Sequence, residues 1–449
     1  MTISLDTIAA IATPAGNGGV GIIRISGKNA LEIARKLTKL ENLKPRYAHF
    51  SSFFEQKGEV LDSGLCLYFP APHSYTGEET VEIQGHGGKV VLDMLLRRIL
   101  SLGARMANAG EFTERAFLNG KLDLAQAEAV ADLIESSTEQ SVRSAQKSMQ
   151  GVFSEQINEL VDELTELRIF VEAAIDFVDE EIDFLGDGAV ETKILALSAK
   201  IQHIQKTAQQ GQLLRDGMTV VLVGKPNAGK SSLLNALAGH DAAIVTDIAG
   251  TTRDVLKERI QLDGMPLHII DTAGLRESDN AIEQEGIRRA HLEIQKADCV
   301  LFLVDARDGH ADNELLKQLP QNRKLTLVFN KIDLMNESPK IIELETHCEI
   351  YLSIKYENGL ELLTQHLKQL MGFNASSENV FIARRRHLEA LNKAQDFIQN
   401  ALSQMQNVIM GELIAEDLRQ AQNSLAEITG KFTPDDLLGK IFSSFCIGK

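Results

Sequence analysis

Eight consecutive residues in the middle of the chain have the residue types of a phosphate-binding loop: Gly224-Lys225-Pro226-Asn227-Ala228-Gly229-Lys230-Ser231. The apolar run 219–223 precedes this loop and the segment 232–238 follows it, which predicts a strand, a loop and a helix in that order. Glycines let backbone N–H groups turn towards phosphate, and the helix N-terminus favours negative charge. Lys230 adds a positive charge, and the Ser231 hydroxyl can bind magnesium. We therefore expect a nucleoside triphosphate as substrate.

Two further motifs follow apolar runs and specify the nucleotide. Asn330-Lys331-Ile332-Asp333 comes after the run 325–329, and Asp333 could accept hydrogen bonds from both the ring N–H and the amino group of guanine. Asp271-Thr272-Ala273-Gly274 comes after the run 267–270, which places Asp271 to hold magnesium through water and Gly274 near the γ-phosphate. Three motifs in this order predict a GTPase.

The loop that closes over guanine in such enzymes usually reads Ser-Ala-Lys, whereas here it reads Ser353-Ile354-Lys355. The contact with the base at this position is normally a backbone N–H group. Ile354 is therefore compatible with guanine binding, and selectivity is expected to depend on Asp333.

The switch region departs from that of an ordinary small GTPase. Thr246-Asp247-Ile248-Ala249-Gly250-Thr251-Thr252 lies where a switch loop is expected, and Thr252 could give magnesium a second hydroxyl ligand. Position 275 is Leu, where Ras-like enzymes have the Gln that orients the attacking water. Either hydrolysis is very slow, or another group of this chain or of a partner supplies the missing function. Arg253 could be an arginine finger, although a lone Arg in a polar loop is more often a surface charge.

Composition limits the other possibilities. The chain has 449 residues, 44% of them hydrophobic, and a formal net charge of -17. This charge argues against broad adhesion to nucleic acid or anionic lipid, so any RNA contact needs a local basic patch. Arg97-Arg98 and Arg384-Arg385-Arg386 are candidates, and solvated helix charge is an equally good interpretation of each. The four cysteines show no CxxC spacing, and the sequence shows no signal peptide and no apolar stretch of membrane length. We expect a cytoplasmic protein.

The predicted fold class is multidomain, α+β and α/β. Residues 1–120 alternate strand-like and helix-like runs and predict an α+β domain. Residues 121–216 have few glycines and helical apolar spacing, as in Ile157, Leu160, Val161, Leu164, Leu167, Ile169 and Val171. Residues 217–372 hold the Ras-like P-loop GTPase domain, and 373–449 again show helical spacing. One helical domain interrupted by the GTPase is favoured, and two separate helical parts remain an alternative.

The combination of motifs resembles the MnmE (TrmE) family of tRNA wobble-uridine modification GTPases. Besides the GTPase motifs, the resemblance rests on Gly110-Glu111-Phe112-Thr113-Glu114-Arg115-Ala116-Phe117-Leu118-Asn119-Gly120-Lys121 and on the terminal Phe445-Cys446-Ile447-Gly448-Lys449. It extends over the whole chain.

The resemblance implies a homodimer whose N-terminal domains pair and bind a folate one-carbon donor, 5-formyl- or methylene-tetrahydrofolate. The residues that would contact folate are Arg24, Glu82, Lys121 and Lys449. Cys446 would be a catalytic thiol near the transferred carbon. FAD and NADH would be bound only by an MnmG-like partner, in a heterotetramer or a larger complex that also binds tRNA.

The same resemblance implies a second cation in the GTPase site. Potassium would be held by Asn227, Thr246, Ile248 and Thr251, magnesium by Ser231 and Thr252, and Glu283 would position the water. The full set expected to bind GTP is Asn227, Ala228, Gly229, Lys230, Ser231, Ser232, Thr246, Asp247, Ile248, Ala249, Gly250, Thr251, Thr252, Asp271, Thr272, Ala273, Gly274, Asn330, Lys331, Asp333, Ser353, Ile354 and Lys355.

Two functions remain open at this point. The first is a potassium-activated GTPase that, with the FAD-dependent partner, adds an aminomethyl- or carboxymethylaminomethyl-type group to C5 of uridine 34 of certain tRNAs. The alternative is an RNA-binding ribosome-assembly or regulatory GTPase switch without modification activity.

Overall fold

The computed structural model describes residues 6–176, 188–240, 257–271, 297–312, 316, 324–372, 380–407, 411–431, 435–445 and 448. The chain divides into two compact units. The first comprises Met1–Ile134, Ser148–Ala199 and Ala390–Lys449, and the second comprises Glu135–Lys147 and Lys200–Glu389.

The strands, in chain order, are β1 Ile8–Ile11, β2 Gly18–Ser26, β3 His49–Phe54, β4 Val60–Phe69, β5 Thr80–Gly87, β6 Arg105–Met106, β7 Met218–Gly224, β8 Lys257–Leu262, β9 Met265–Asp271, β10 Cys299–Asp305, β11 Lys324–Asn330, β12 Lys340–Glu343 and β13 Cys348–Leu352. The helices are α1 Ala30–Thr38, α2 Lys89–Ser101, α3 Glu111–Leu118, α4 Leu124–Glu135, α5 Glu139–Met149, α6 Val152–Asp176, α7 Ala189–Asp216, α8 Lys230–His240, α9 Leu360–Met371, α10 Arg385–Asn407, α11 Gly411–Thr429 and α12 Asp435–Ser443.

The first unit contains a six-stranded sheet in the order β3-β4-β5-β2-β1-β6. Neighbouring strands are antiparallel, except that β1 and β6 are parallel. Side chains alternate between the two faces of a strand. Ile23, Ile25 and Ile83 are fully buried in the core that α1 and α2 complete. Arg24 and Glu82, which are register partners, consequently point to the opposite face.

Helices α6 and α11 pack against each other in the same unit and confirm the helical apolar spacing predicted there. Arg168 Nη1 donates to Gln422 Oε1 at 2.7 Å, and Gln422 Nε2 donates to Thr165 Oγ1 at 2.9 Å. Ile169 is the exception to the predicted apolar face, because it is 57% exposed.

The second unit contains a seven-stranded sheet in the order β12-β13-β11-β10-β7-β9-β8. The five inner strands are parallel, and the edge strands β8 and β12 are antiparallel to their neighbours. The carboxyl ends of parallel strands meet at one edge, where ligands of open α/β sheets bind. Strands β7, β9 and β11 and helix α8 confirm the elements predicted around the three GTPase motifs, and the two sheets with their helices confirm the fold class.

Helix α7 approaches the segment 380–383 closely within the second unit. A Cβ atom at Gly211 would collide with the Phe381 carbonyl oxygen. Glycine at this position therefore lets the two backbones come together at the cost of about 1 kcal/mol of helix propensity relative to Ala.

Candidate functional sites

The predicted phosphate loop connects β7 to α8 as a tight turn. Gly224, Asn227 and Gly229 have positive φ values of 155°, 65° and 109°. A Cβ atom at Gly229 would collide with Asn330 Nδ2, and one at Gly224 would lie 2.5 Å from the Leu303 carbonyl oxygen. Glycine is thus required at these positions by close contacts as well as by backbone conformation.

Asn330 joins two loops that are far apart in sequence. Its Nδ2 donates to the Ala228 carbonyl at 2.9 Å, and its Oδ1 accepts from the Ile354 backbone N–H at 3.1 Å. Asn330 and Ile354 are only 4% and 5% exposed. The phosphate loop and the predicted guanine-closing loop are therefore held together by one buried amide.

Asp333, the predicted guanine ligand, lies beside the same loop. Its Oδ1 accepts a hydrogen bond from Ser353 Oγ at 2.6 Å. Asp333 and Ser353 thus fix each other's side chains, while Lys355 remains exposed. The arrangement places a carboxylate and the Ile354 loop next to each other, as guanine recognition requires.

Lys331, the residue that follows β11, contacts the predicted phosphate loop. Its Nζ donates to the Asn227 carbonyl and to Asp305 Oδ2, both at 2.8 Å. Asp305, at the end of β10, also accepts from Arg307 Nε at 2.9 Å and Nη2 at 2.7 Å. The Arg307 hydrogen bonds have the largest effect on the pKa of Asp305; with Lys331 they hold it well below its usual range against the opposing effect of burial.

The described residues that are predicted to bind magnesium and phosphate lie at the same edge of the sheet. Lys230 Nζ donates to the Gly224 carbonyl at 2.6 Å and lies at the loop, and Ser231 is exposed in the first turn of α8. Asp271 ends β9, and its register partner in the parallel strand β7 is Leu222. The three residues are therefore brought to one end of neighbouring elements.

Several predicted site residues lie outside the described residues, namely Thr246, Asp247, Ile248, Ala249, Gly250, Thr251, Thr252, Thr272, Ala273, Gly274, Glu283, Cys446 and Lys449. Among the residues that the structure does describe, no three His, Cys, Asp or Glu side chains are grouped to hold a metal ion. The described helices include none long and apolar enough to cross a membrane.

A second polar site lies on the face of the first unit's sheet that is opposite to α1 and α2. Arg24 Nη2 donates to Glu82 Oε1 at 2.9 Å, and their side chains are 22% and 18% exposed. The guanidinium carbon of Arg24 lies 5.3 Å from the Tyr75 ring centroid and 5.8 Å from that of Phe112. The site thus combines a cation, a carboxylate and two aromatic rings.

Lys121 lies along the loop that carries Tyr75. Its Nζ donates to the Pro72 carbonyl at 3.2 Å, and a Cβ atom at Gly77 would lie 3.4 Å from its Cγ. The described members of the predicted folate set are therefore associated with one loop and the sheet face beneath it.

A buried ion cluster fixes helix α3 next to this site. Arg115, 4% exposed, donates to Asp6, Glu78 and Glu111, and Arg105 donates to Asp6 and Glu111. Burial alone would raise the pKa of Glu111, but hydrogen bonds, with those from Arg105 the strongest, hold it below its usual range.

The C-terminal end of the chain packs against the same unit. A Cβ atom at Gly110 would lie 2.5 Å from the Phe442 carbonyl, and a Cβ atom at Gly448 would collide with the Ile11 carbonyl. Gly448 therefore lies against β1, whose residue Ala10 is the register partner of Arg24.

Sequence reasoning assigned no role to Tyr75, Phe112 or Asp305. Tyr75 and Phe112 are distant in sequence from Arg24, so no local spacing indicates their contact. The one available signal was the Phe at position 112 within the recognised motif 110–121.

Comparison with known proteins finds relatives over the whole chain. Residues 7–121 match the family model described as "GTP-binding protein TrmE N-terminus", and residues 124–446 match the one described as "MnmE helical domain". The tRNA modification GTPase MnmE of Hydrogenovibrio crunogenus is 57% identical over 446 residues, which cover 99% of each chain. The protein of that name from Marinobacter nauticus is 57% identical over 458 residues and covers 100% of each. Among solved structures, a variant of Era from Aquifex aeolicus matches at 23% identity with a TM-score of 0.26, covering 40% of this chain and 66% of its own.

Proposed function

Because this chain belongs to the MnmE (TrmE) family of tRNA modification GTPases, we propose that it couples GTP hydrolysis to the modification of wobble uridine in certain tRNAs. The chain is a GTP hydrolase of that family. With an FAD-dependent MnmG-like partner it adds an aminomethyl- or carboxymethylaminomethyl-type group to C5 of uridine 34. The one-carbon unit comes from 5-formyl- or methylene-tetrahydrofolate.

The observation that carries the nucleotide part of the proposal is the bridge made by Asn330. It fixes the phosphate loop at Ala228 against the loop of Ile354. Asp333, held by Ser353, then faces the Watson–Crick edge of guanine, which presents two N–H donors where adenine does not. Binding of both ends of GTP is thereby preorganised.

Residues at the carboxyl edge of the second sheet are assigned to binding and orienting the phosphates. Lys230 pairs with phosphate oxygens, and the loop N–H groups orient them for in-line attack. Ser231 and Thr252 would hold magnesium with the help of Asp271, and the bound ion would supply positive charge to the phosphate oxygens. The chemistry of the donors fits, since magnesium prefers hydroxyl, carboxylate and water oxygens.

Potassium is proposed to supply the positive charge that an arginine finger supplies in other GTPases. Asn227, Thr246, Ile248 and Thr251 would supply its oxygen ligands. The backbone carbonyl of Asn227 accepts a hydrogen bond from Lys331, and the side-chain carbonyl of Asn227 is the proposed ligand of the cation. Because position 275 is Leu, Glu283 is assigned to orienting the attacking water.

The site around Arg24 is proposed to bind the folate. Glu82 can accept from the pterin's N–H donors, while Arg24, Lys121 and Lys449 attract its carboxylates. Tyr75 lies next to Arg24, and the buried ring of Phe112 supports the guanidinium from the core. The contact of Gly448 with the Ile11 carbonyl supports a role for the C-terminal tail at this site.

The assembly is proposed to be a homodimer of this chain joined to the MnmG-like protein in a heterotetramer or larger complex. FAD and NADH are bound only by that partner. The substrate tRNA places the complex in the cytoplasm.

Mass spectrometry of wobble nucleosides tests the modification function. Cells lacking this chain should lose the C5 substituent on uridine 34, and the wild type should restore it. Cys446→Ser should fail to restore it, while Cys66→Ser, a change of one buried thiol, should succeed. Unchanged nucleosides in the deleted cells would favour the RNA-binding switch instead.

A comparison of GTP hydrolysis rates in potassium and in sodium tests the proposed potassium site. Potassium should accelerate GTP turnover and sodium should not. Glu283→Ala should lose turnover while it retains GTP binding, and Glu285→Ala serves as the matched control two residues away. Equal turnover in the two salts would contradict the potassium site.

A further inference from the structure

We propose that the edge of the first unit's sheet binds RNA, through exposed residues that we call the β3-edge surface: Lys39, Lys44, Arg46, Tyr47, Phe50 and Lys57. The inference rests on the proposed function, in which a tRNA is the substrate. It adds the place where RNA with unpaired bases, such as an anticodon loop, is bound.

The distribution of charge favours this unit as the RNA contact. Residues 1–120 contain 13 Lys and Arg against 12 Asp and Glu, although the whole chain has a net charge of -17. The acidic excess that opposes RNA binding therefore lies in residues 121–449. Segment 35–57 is the more basic part, with six Lys and Arg against two Glu.

The cations of the β3-edge surface are not neutralised by carboxylates. Within the described part of the chain, Lys39, Lys44, Arg46 and Lys57 take part in no ion pair. Lys39 Nζ lies 3.8 Å from the Phe54 ring centroid, Lys44 Nζ lies 5.7 Å from that of Tyr47, and Arg46 donates to the His73 carbonyl. Their positive charge is thus available to phosphates.

The two basic clusters noted in the sequence, 97–98 and 384–386, differ from the β3-edge surface because each contains a cation that is paired with a carboxylate. Arg97 pairs with Asp93, and Arg385 pairs with Glu389, each one helical turn apart. Solvated helix charge accounts for these two residues, so the unpaired cations at the sheet edge are the better RNA contacts.

Two exposed aromatic residues lie between these cations in the sequence. Tyr47 is 54% exposed and Phe50 is 76% exposed. Strand β3 is an edge strand, and side chains alternate along it, so His49 and Phe50 face opposite sides of the edge. Exposed rings interleaved with unpaired cations are the features that stack unpaired bases and hold their phosphates.

The loop that presents Tyr47 is held in place before any partner binds. The backbone N–H of Lys44 donates to His49 Nε2 at 2.8 Å, and that of Arg46 donates to the Tyr68 carbonyl at 2.8 Å. The rings of Tyr47 and His49 meet edge to face with centroids 4.9 Å apart. Preorganisation of this kind lowers the entropic cost of binding.

Titration of the full-length protein with a fluorescent anticodon stem-loop tests the proposal. Lys39→Gln/Lys44→Gln should raise Kd about tenfold and reduce the salt dependence of log K by about 1.4, since each phosphate contact to single-stranded RNA contributes about 0.7. The matched control Lys36→Gln/Arg97→Gln removes two exposed cations that are already paired with Glu32 and Asp93, and should bind like the wild type.

A second variant separates stacking from charge. Tyr47→Ala/Phe50→Ala should raise Kd at least fivefold and leave the salt slope unchanged, because stacking releases no counterions. Circular dichroism melting of each variant confirms that it is folded. Arg46 is left intact because it holds the loop at His73.

Two outcomes would overturn the RNA surface. One is the same Kd for the β3-edge variants and the control. The other is loss of self-association in light scattering with unchanged RNA affinity, which would assign the surface to a protein contact. The wobble-nucleoside assay distinguishes failure of the RNA surface from failure of the proposed function. If the wild type restores modification but the β3-edge variants bind RNA with unchanged Kd, only the proposed RNA surface is wrong. If wild type restores nothing, the proposed function is wrong, and the titration still decides whether RNA binds here.

Discussion

The Lys331 ammonium lies 2.8 Å from the Asp305 carboxylate, and the same ammonium donates to the carbonyl of Asn227 in the phosphate loop. Asp305 is thus connected through Lys331 to the predicted phosphate loop, although it belongs to none of the three GTPase motifs. Because Arg307 and Lys331 hold its pKa well below the usual range, Asp305 is ionised at every pH at which the protein would be assayed.

We expect Asp305→Asn to speed GDP release about tenfold, because a charge-assisted hydrogen bond to Lys331 contributes roughly 1.5–3 kcal/mol. Stopped-flow release of a fluorescent GDP analogue measures this rate. Lys331→Met should have the larger effect alone, and the double variant should release no faster than Lys331→Met if Asp305 acts only through Lys331. Asp308→Asn is the matched control on the exposed neighbouring turn, and an unaltered release rate in Asp305→Asn would contradict the role.

Asn330→Ala should destabilise the second unit by about 2–4 kcal/mol, because it leaves the Ala228 carbonyl and the Ile354 N–H buried without their partner. GTP affinity should fall in parallel, since both nucleotide loops lose their common support. Urea denaturation followed by circular dichroism and nucleotide titration measure the two effects. Asn235→Ala, at an exposed position of α8, should change neither; equal behaviour of both variants would refute the bridge.

The strands and the helix around the three GTPase motifs could be predicted from sequence because each motif is contiguous and follows an apolar run. The bridging role of Asn330 could not be predicted in this way. Its partner Ala228 is 102 positions away, and only the parallel order of β7, β10 and β11 brings them together.

In the first unit, too, local sequence patterns do not show which contacts tertiary packing creates. Helical spacing predicted α6 correctly but included Ile169, which is exposed, because spacing cannot show where a packing partner ends. Arg24 and Glu82 were identified from the family resemblance, whereas the rings of Tyr75 and Phe112 next to Arg24 arise from tertiary packing.

The ion cluster around Arg115 should make stability depend on acid pH. The folded-state pKa of Glu111 is depressed, so its contribution is present above the unfolded-state value of about 4.3 and is lost as pH falls through the folded value. Glu111→Gln should therefore cost about 3 kcal/mol at pH 7 and progressively less below about pH 4. Urea denaturation at pH 7 and below about pH 4 measures the difference in the free energy of unfolding between Glu111→Gln and the wild type.

Glu114, on the same helix, is the matched control of opposite sign. Burial raises its pKa, and the nearby Glu111 charge adds to the effect, so its carboxylate disfavours the folded state near neutral pH. Glu114→Gln should be neutral or stabilising at pH 7. A comparable loss in both variants would show that the cluster does not act through charge.

In the folded protein, we expect iodoacetamide to alkylate Cys446 and none of the other three cysteines. Burial raises the pKa of Cys66 and Cys299 to about 12, and it also raises that of Cys348. At pH 8 only about one in ten thousand of the first two thiols is ionised, so they should resist alkylation. Iodoacetamide should label at most one site in the folded wild type and none in Cys446→Ser, as peptide mapping would show. Labelling of Cys66 or Cys299 before unfolding would disprove the expectation.

The missing Cβ of Gly211 also constrains how this protein can vary through evolution. Its neighbours Gln210 and Gln212 both carry long side chains, so α7 cannot slide by one residue past the Phe381 carbonyl without a collision. An insertion or deletion within the helix near this crossing would shift a side chain into the gap that glycine leaves open. Among relatives, insertions and deletions should therefore occur before or after α7, and glycine should be retained at position 211.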